Sequence, residues 1–413
     1  MMKKIFALIM LVCFIFTFAF HSNGIYVSVE EERELRENQI SDTAVADASV
    51  SVDLQFTTSA KAVVLMEKST GKVLYAENEN EKLYPASVTK IMTILLVCEA
   101  LDSGKIKLSD TVSCSENAAS KGGSQIWLEA GETMRVQELL KATCVYSAND
   151  ACTLLGEYVA GSELVFNEMM NNRAKELGMN NTYFDNCTGL DDTTDTHLTT
   201  AYDVALMSKA LLEYDFIKEY TTIWMDSLRN GETQLVNTNK LVRFYNGITG
   251  LKTGTTEKAG CCVAATAERN NMELIAVVMG SENSNDRFNT AENLLDWGFA
   301  NFEIYTPEIK DSIKKEIDVL FGMKDSVSIK IPVPSSVLIN KGESQNITAE
   351  IEIAENITAP VAENQTVGKI VISNGEKILS EHSIIVAESV GKLNFFGALH
   401  KLLTSFSSHD KNK

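Results

Sequence analysis

Apolar positions along this chain follow one period after another, and each change of period marks an element. Residues 62–66 and 73–76 are apolar runs around Glu67-Lys68-Ser69-Thr70-Gly71-Lys72, the pattern of a strand–turn–strand hairpin. From Ser87 to about 101 the apolar residues are those of a helix, with Pro85 just before it and Gly104 ending the segment. The stretch 105–250 reads as mainly helical, since 136–140, 150–159 and 163–177 show helical spacing and Gly178 closes the last of these. A loop rich in Asn, Thr and Asp follows at 180–196, then a helix over about 200–212. Strands return at 250–253, 261–267 and 274–279, the last two joined by the turn Arg269-Asn270-Asn271. A helix over about 288–302 completes a first domain, 56–306. Beyond Pro307, the runs 327–333, 348–353, 369–372 and 383–386 are short, alternating or β-branched, and turn residues separate them. They predict a small all-β domain at 310–388. Last, Leu393, Phe395, Phe396, Leu399, Leu402, Leu403 and Phe406 fall on one stripe of a helix at 391–407. Four turns are too few to span a bilayer. Such a stripe suits lying flat in a membrane interface; the alternative is a helix that docks back on the protein.

Composition changes this picture in three places. A chain of 413 residues exceeds one ordinary core and calls for two domains. Its net charge of -19, with no long basic run, excludes a nucleic-acid-binding face. The N-terminus is a secretory signal over 1–24: Met1-Met2-Lys3-Lys4 is basic, 5–20 almost wholly apolar, and Ser22-Asn23-Gly24 offers small residues for cleavage. The alternative is an uncleaved N-terminal membrane helix. Residues 25–55 are acidic and polar without a period, a flexible leader. Of eight cysteines, seven remain without the signal, and no CxxC pair is present, so no zinc site is expected. Cys98, Cys144 and Cys152 stand in apolar helical contexts as small core residues.

Three short motifs carry chemistry. In Ser87-Val88-Thr89-Lys90 a lysine follows a serine by three, so on a helix both share one face. A serine needs a base to take its proton, and a partly desolvated lysine beside other cations supplies one near neutral pH. The spacing recurs at Ser69, Ser312, Ser389 and Ser408, but only Ser87 opens a strongly apolar helix. In Ser147-Ala148-Asn149 a hydroxyl can relay a proton, and an amide can hold both a lysine and a substrate carbonyl. Ser115, Ser281 and Ser344 share the spacing in polar loops, whereas Ser147 immediately precedes a helix. Lys252-Thr253-Gly254-Thr255 occurs once, on a predicted strand. There Gly admits a close backbone approach, Lys offers positive charge to a carboxylate, and Thr adds a hydrogen-bond donor.

The order of these motifs resembles that of penicillin-binding proteins and serine β-lactamases. Over roughly 57–406 the chain is most similar to the serine D-Ala-D-Ala carboxypeptidases of peptidase family S11. Pro85 to Thr93, Gly131-Glu132, Ser147 to Ala151, Leu177-Gly178-Met179, Thr188-Gly189-Leu190, Lys252-Thr253-Gly254, Lys258-Ala259-Gly260 and Asp296 to Phe299 carry the likeness. It implies an α+β transpeptidase fold, an antiparallel sheet flanked by helices with a helical subdomain, followed by the β domain and the terminal amphipathic helix. It implies Ser87 as nucleophile, Lys90 as its base, Ser147 as proton relay and Asn149 as positioner of Lys90 and substrate. It further implies an oxyanion hole from the amides of Ser87 and Thr255, and carboxylate recognition by Lys252, Thr253 and Arg287 beside Gly254. The expected substrate is the peptidoglycan pentapeptide, the expected covalent inhibitors are β-lactams, and neither metal nor organic cofactor is called for. The expected place is outside the cytoplasmic membrane.

Two departures stand out. Relatives often carry His-Gly-Leu where this chain has Thr188-Gly189-Leu190, which bears on the loop geometry. His197 lies nearby and reads as a loop residue rather than a base. The Glu-x-x-x-Asn element that class A β-lactamases use for deacylation has no credible copy in 160–200. The rivals are a β-lactamase or cross-link endopeptidase of the same fold, and a catalytically idle cell-wall-binding protein. The missing glutamate, the β domain and the tail helix argue against a free β-lactamase, and the intact motif residues argue against a scaffold.

Overall fold

The computed structural model describes residues 57–191, 194–309 and 314–409. The expected signal 1–24 and leader 25–55 lie outside the described residues, as do the side chains of Leu403 and Phe406. A five-stranded sheet is built from β1 (Ala62–Glu67), β2 (Val73–Glu77), β3 (Ile248–Thr256), β4 (Gly260–Arg269) and β5 (Met272–Ser281), in the order β2-β1-β5-β4-β3. The expected first hairpin and the three later strands thus meet in one antiparallel sheet, with Ala62 opposite Met279. Alternation along β1 and β5 explains why both are buried along their whole length. Val64, Met66, Ile275, Val277 and Met279 join one core; Val63, Leu65, Leu274, Ala276 and Val278 join another on the opposite face. Each such side chain contributes about 1.5–3 kcal/mol of burial.

The first core lies under the helical region. A 3₁₀ turn, Ala86–Thr89, leads into α1 (Lys90–Asp102), whose residues are buried almost all the way round. The α-helix therefore begins at Lys90, and Ser87, expected at its start, sits in the tighter turn before it. Then come α2 (Val136–Lys141), α3 (Asn149–Ala160), α4 (Glu163–Glu176) and α5 (Ala201–Leu211). Side-chain caps fix two starts: Ser162 accepts from Val165 N and Thr200 from Asp203 N. On the other face α6 (Ser284–Asn301) covers the second core, and Asn283 caps it four residues earlier than the periodicity alone indicated. The region 105–250 also holds two hairpins that its pattern did not reveal, Thr111–Ser113 with Thr133–Arg135 and Met225–Leu228 with Thr233–Val236. Strands of three and four residues are too short for a period to show.

After α6, β6 (Phe302–Tyr305) pairs with β9 (Val337–Asn340), so strand pairing already begins before Pro307. The six-stranded sheet that follows uses β7 (Glu316–Leu320), β8 (Ser326–Lys330), β10 (Ile347–Ile353), β11 (Asn356–Thr358), β12 (Thr366–Asn374) and β13 (Lys377–Val386). Its order is β10-β12-β13-β8-β7-β11. Ile317, Val327, Ile370, Ile372, Ile384 and Val386 form its separate core. The chain is described to the end of α7 (Phe395–His409).

Candidate active site

A 3₁₀ turn eclipses residues three apart, and this is the geometry the nucleophile turn provides. Lys90 Nζ donates to Ser87 Oγ at 2.8 Å and to Thr188 O at 2.7 Å. The lysine is wholly buried, and that burial lowers its pKa to about 8. The thiols of Cys152 and Cys187, with Asp150, act weakly in the other direction. Loop 186–190 crosses directly over this turn. Gly189 has φ +88°, and a Cβ there would stand 1.8 Å from Ala86 O, so only glycine allows the crossing. It is the backbone carbonyl of residue 188 that meets Lys90, while Thr188 Oγ1 turns away to donate to Asn186 Oδ1. The departure from His to Thr therefore leaves the contact with the lysine in place.

The second segment is carried by a π-helical turn, Ala142–Tyr146, between α2 and α3. It ends on Ser147 in the left-handed region, φ 66°, an uncommon conformation for serine that the surrounding packing must hold. Asn149 opens α3, its Nδ2 donating to Gly122 O at 2.7 Å and its backbone N to Ser124 O at 2.6 Å. Asp150 clamps the same loop by accepting from Ile126 N and Leu128 N. One turn further on, Cys152 lies beside Lys90, which brings the start of α3 to the base. Ser147 Oγ and Asn149 Oδ1 are buried and find no partner within the chain. Such groups cost about 1–3 kcal/mol each unless something meets them.

The third segment is β3, the edge strand. A Cβ on Gly254 would stand 2.8 Å from Ser87 N and 2.9 Å from Pro85 O, so the strand abuts the turn of Ser87 at this glycine. Lys252 is buried and donates to Thr253 O at 2.9 Å. Burial first, and the nearby charge of Lys90 second, push its pKa well below the ordinary lysine value. Thr253 Oγ1 donates to Thr238 Oγ1 at 2.7 Å, and Thr238 N donates to Val145 O. Thr238 thus ties the strand to the turn that carries Ser147; no motif in the sequence points to it. Thr255 is exposed at the strand's end. Arg287, on α6, donates from Nη1 to Gly254 O at 2.8 Å and Thr255 Oγ1 at 2.9 Å, so it reaches the site from behind the strand.

Known proteins resemble this chain in sequence and fold. Residues 47–283 match the family model of D-alanyl-D-alanine carboxypeptidases, peptidase S11, and residues 302–392 match the C-terminal domain of penicillin-binding protein 5. The chain is 42% identical to the D-alanyl-D-alanine carboxypeptidase DacF of Bacillus subtilis, over 83% of this chain and 89% of that protein. It is 39% identical to DacC of Escherichia coli, over 82% and 86%. Among solved structures, penicillin-binding protein 5 of Haemophilus influenzae superposes with a TM-score of 0.72 at 31% identity, covering 82% of this chain and 99% of that one. The chain belongs to the peptidase S11 family. It is a serine-type D-alanyl-D-alanine carboxypeptidase with the α+β penicillin-binding fold and a C-terminal β domain.

Other polar groups of this carboxypeptidase brace the site. His197 Nδ1 accepts from Asp185 N and its Nε2 pairs with Thr89 Oγ1 at 2.8 Å. Burial lowers its pKa to about 4, so it is a neutral strut between loop and nucleophile turn rather than a base. Lys258 donates to Asp195 Oδ1 and lies over the Tyr84 ring, and Thr256 donates to Asp191, which fastens the loop to the end of β3. Glu163 and Asn167 do stand four apart on α4, but Glu163 pairs with Lys121 and Asn117, and Asn167 donates to Asp185 O. Those bonds tie both side chains into the surrounding fold. Seven cysteines are described, all buried and unpaired.

Proposed function

We propose that this carboxypeptidase removes the terminal D-alanine of peptidoglycan pentapeptide stems through an acyl-enzyme on Ser87, at the outer face of the cytoplasmic membrane. One observation carries the chemistry: a fully buried Lys90 amine stands 2.8 Å from Ser87 Oγ, with its pKa lowered to about 8. Neutral Lys90 takes the hydroxyl proton as Ser87 Oγ attacks the carbonyl between the two D-alanines. The oxyanion is held by the amides of Ser87 and Thr255, a pairing supported by the close approach of Gly254 to Ser87 N. Ser147 passes the proton to the leaving D-alanine nitrogen, and Asn149 positions both partners: its unpartnered Oδ1 accepts from the Lys90 amine, and the second N–H of its Nδ2 donates to the stem carbonyl. Lys252, Thr253 and Arg287 receive the substrate's terminal carboxylate. That carboxylate supplies the counter-charge that the buried Lys252 lacks, and so favours its ammonium form. Water then attacks the ester, activated by Lys90 and Ser147.

With no dedicated deacylating glutamate, penicillin acyl-enzymes are long-lived in this reading. The Listeria monocytogenes penicillin-binding protein D2, solved in an ampicillin-bound form, is 31% identical with a TM-score of 0.54 over 59% of this chain, which supports β-lactams as ligands here. The division of labour along the chain follows: a signal at 1–24, a leader at 25–55, the catalytic domain at 56–306, the β domain at 310–388 and a membrane-binding helix at 391–407. The Ser87→Ala variant tests the reading. It loses both labelling by fluorescent penicillin and release of D-alanine from diacetyl-Lys-D-Ala-D-Ala. Retained labelling would falsify Ser87 as the nucleophile.

A further inference from the structure

The membrane-facing surface extends beyond the tail helix into the β domain. Leu320, Phe321 and Met323 stand exposed in the turn between β7 and β8, and Phe321 is 70% exposed. Its φ of +57° is a strained conformation for an aromatic residue. The helix α7 is fastened to this same turn. Leu393 N donates to Phe321 O at 2.8 Å and Met323 N to Gly391 O at 2.9 Å. Lys401 Nζ donates to Gly322 O at 3.0 Å and pairs with Asp325. A Cβ on Gly397 would stand 2.7 Å from Met323 Sδ, so the helix packs closely on this side chain.

These contacts use the wrong face of the helix for apolar docking. Gly397 and Lys401, one turn apart, point to the domain. Phe395, Leu399 and Leu402 lie about 150° round the helix from them, at roughly 100° per residue. Phe395 and Phe396 are 75% and 78% exposed. The helix is therefore attached to the protein by its small and polar side and presents its apolar stripe away from that contact, with Phe395 and Phe396 exposed at the end of the helix whose lead-in residue Leu393 is bonded to Phe321. Charge favours a lipid surface as what covers it. In a chain of net charge -19, residues 389–409 contain no Asp or Glu; Lys392 lies just before the helix, while Lys401 is engaged by Asp325. Among the described residues no helix is long and apolar enough to cross a membrane, so the contact is interfacial.

We propose that the turn 320–323 enters the bilayer interface together with α7, so that the β domain itself is seated on an anionic membrane in one fixed orientation. This rests on the membrane role proposed above for the tail. The test uses the protein purified from the cells that export it. Because the described cysteines are buried, Phe321→Cys can be labelled selectively with an environment-sensitive dye; Glu376→Cys, exposed in the far turn between β12 and β13, is the control. With phosphatidylglycerol vesicles the label at 321 shifts to the blue and that at 376 does not. Phe321→Ser lowers vesicle partition by at least about fivefold, the scale of burying one aromatic side chain, and leaves turnover unchanged. The double variant Phe395→Ser, Leu399→Ser lowers it further. An unshifted label at 321, with the double variant released, overturns the seating of the turn and leaves the helix as anchor. Partition unchanged in the double variant removes the anchor and this proposal with it. A vesicle-free dimer that Phe321→Ser dissociates makes the surface a contact between copies and also overturns the proposal.

Discussion

A single buried amine decides how the nucleophile behaves. In the proposed mechanism Lys90 serves as base only when neutral, and burial lowers its pKa from 10.5 to about 8. The sign follows directly: below about 8 the amine is protonated and acylation is slow, and above it the base is free. Acylation, read as kcat/KM or as the rate of penicillin labelling, therefore rises about tenfold per pH unit well below 8 and levels off above it. Lys90→Arg, which stays protonated, loses activity by about 10²–10⁴-fold at every pH, the span of a general base. A profile centred near 6 points instead to another base. Arg287 shows the opposite case at this scale. Its guanidinium reads in the sequence as a carboxylate ligand, and the fold first gives it the carbonyl of Gly254 and the hydroxyl of Thr255 to hold.

At the scale of elements, the loop between α4 and α5 is the least regular part of the site and is held by side chains rather than by a backbone ladder. His197 is its main strut, bonded to Asp185 N and Thr89 Oγ1. Its pKa is about 4 when folded and 6.5 in the unfolded reference. Between these values the unfolded chain binds the extra proton, so folded stability falls as pH drops from about 6.5 to about 4, by up to about 3 kcal/mol. Urea unfolding at pH 7 and pH 4.5 measures this. In His197→Gln, which keeps a donor toward Thr89 and cannot titrate, the difference between the two pH values shrinks by roughly 2–3 kcal/mol. An equal pH dependence in both proteins removes the histidine from the account. The π-helical turn Ala142–Tyr146 is the other irregular element. It delivers Ser147 in a left-handed conformation, φ 66°.

On the scale of the whole molecule, catalysis and attachment are carried by separate cores. The residues around Ser87 belong to the sheet and its two helical layers, while Gly397 and Lys401 of α7 meet residues 322–325 of the β domain. Deleting residues 395–413 therefore moves the protein from the membrane to the soluble fraction and leaves D-alanine release from a short peptide unchanged. Membrane association that persists after the deletion places the attachment at the N-terminus instead, as the uncleaved apolar segment of 5–20 allows.

The sequence by itself determined the class of fold and the family, and it pointed to Ser87 and Lys90, because each rests on local order: the apolar run at 62–66, apolar crowding after Ser87, and a lysine three residues on. It could not reveal the short hairpin at Met225–Leu228, the π turn before Ser147, or the part of Thr238, since none of these has a period or a motif. Only the tertiary structure decided that Gly254 meets the amide of Ser87, that the backbone carbonyl of Thr188 meets Lys90, and that α7 turns its apolar stripe away from its own domain. Those are contacts between segments 65 to 170 residues apart in the chain. Burial and the approach of backbones set them, and neither is written in the order of side chains along any one segment.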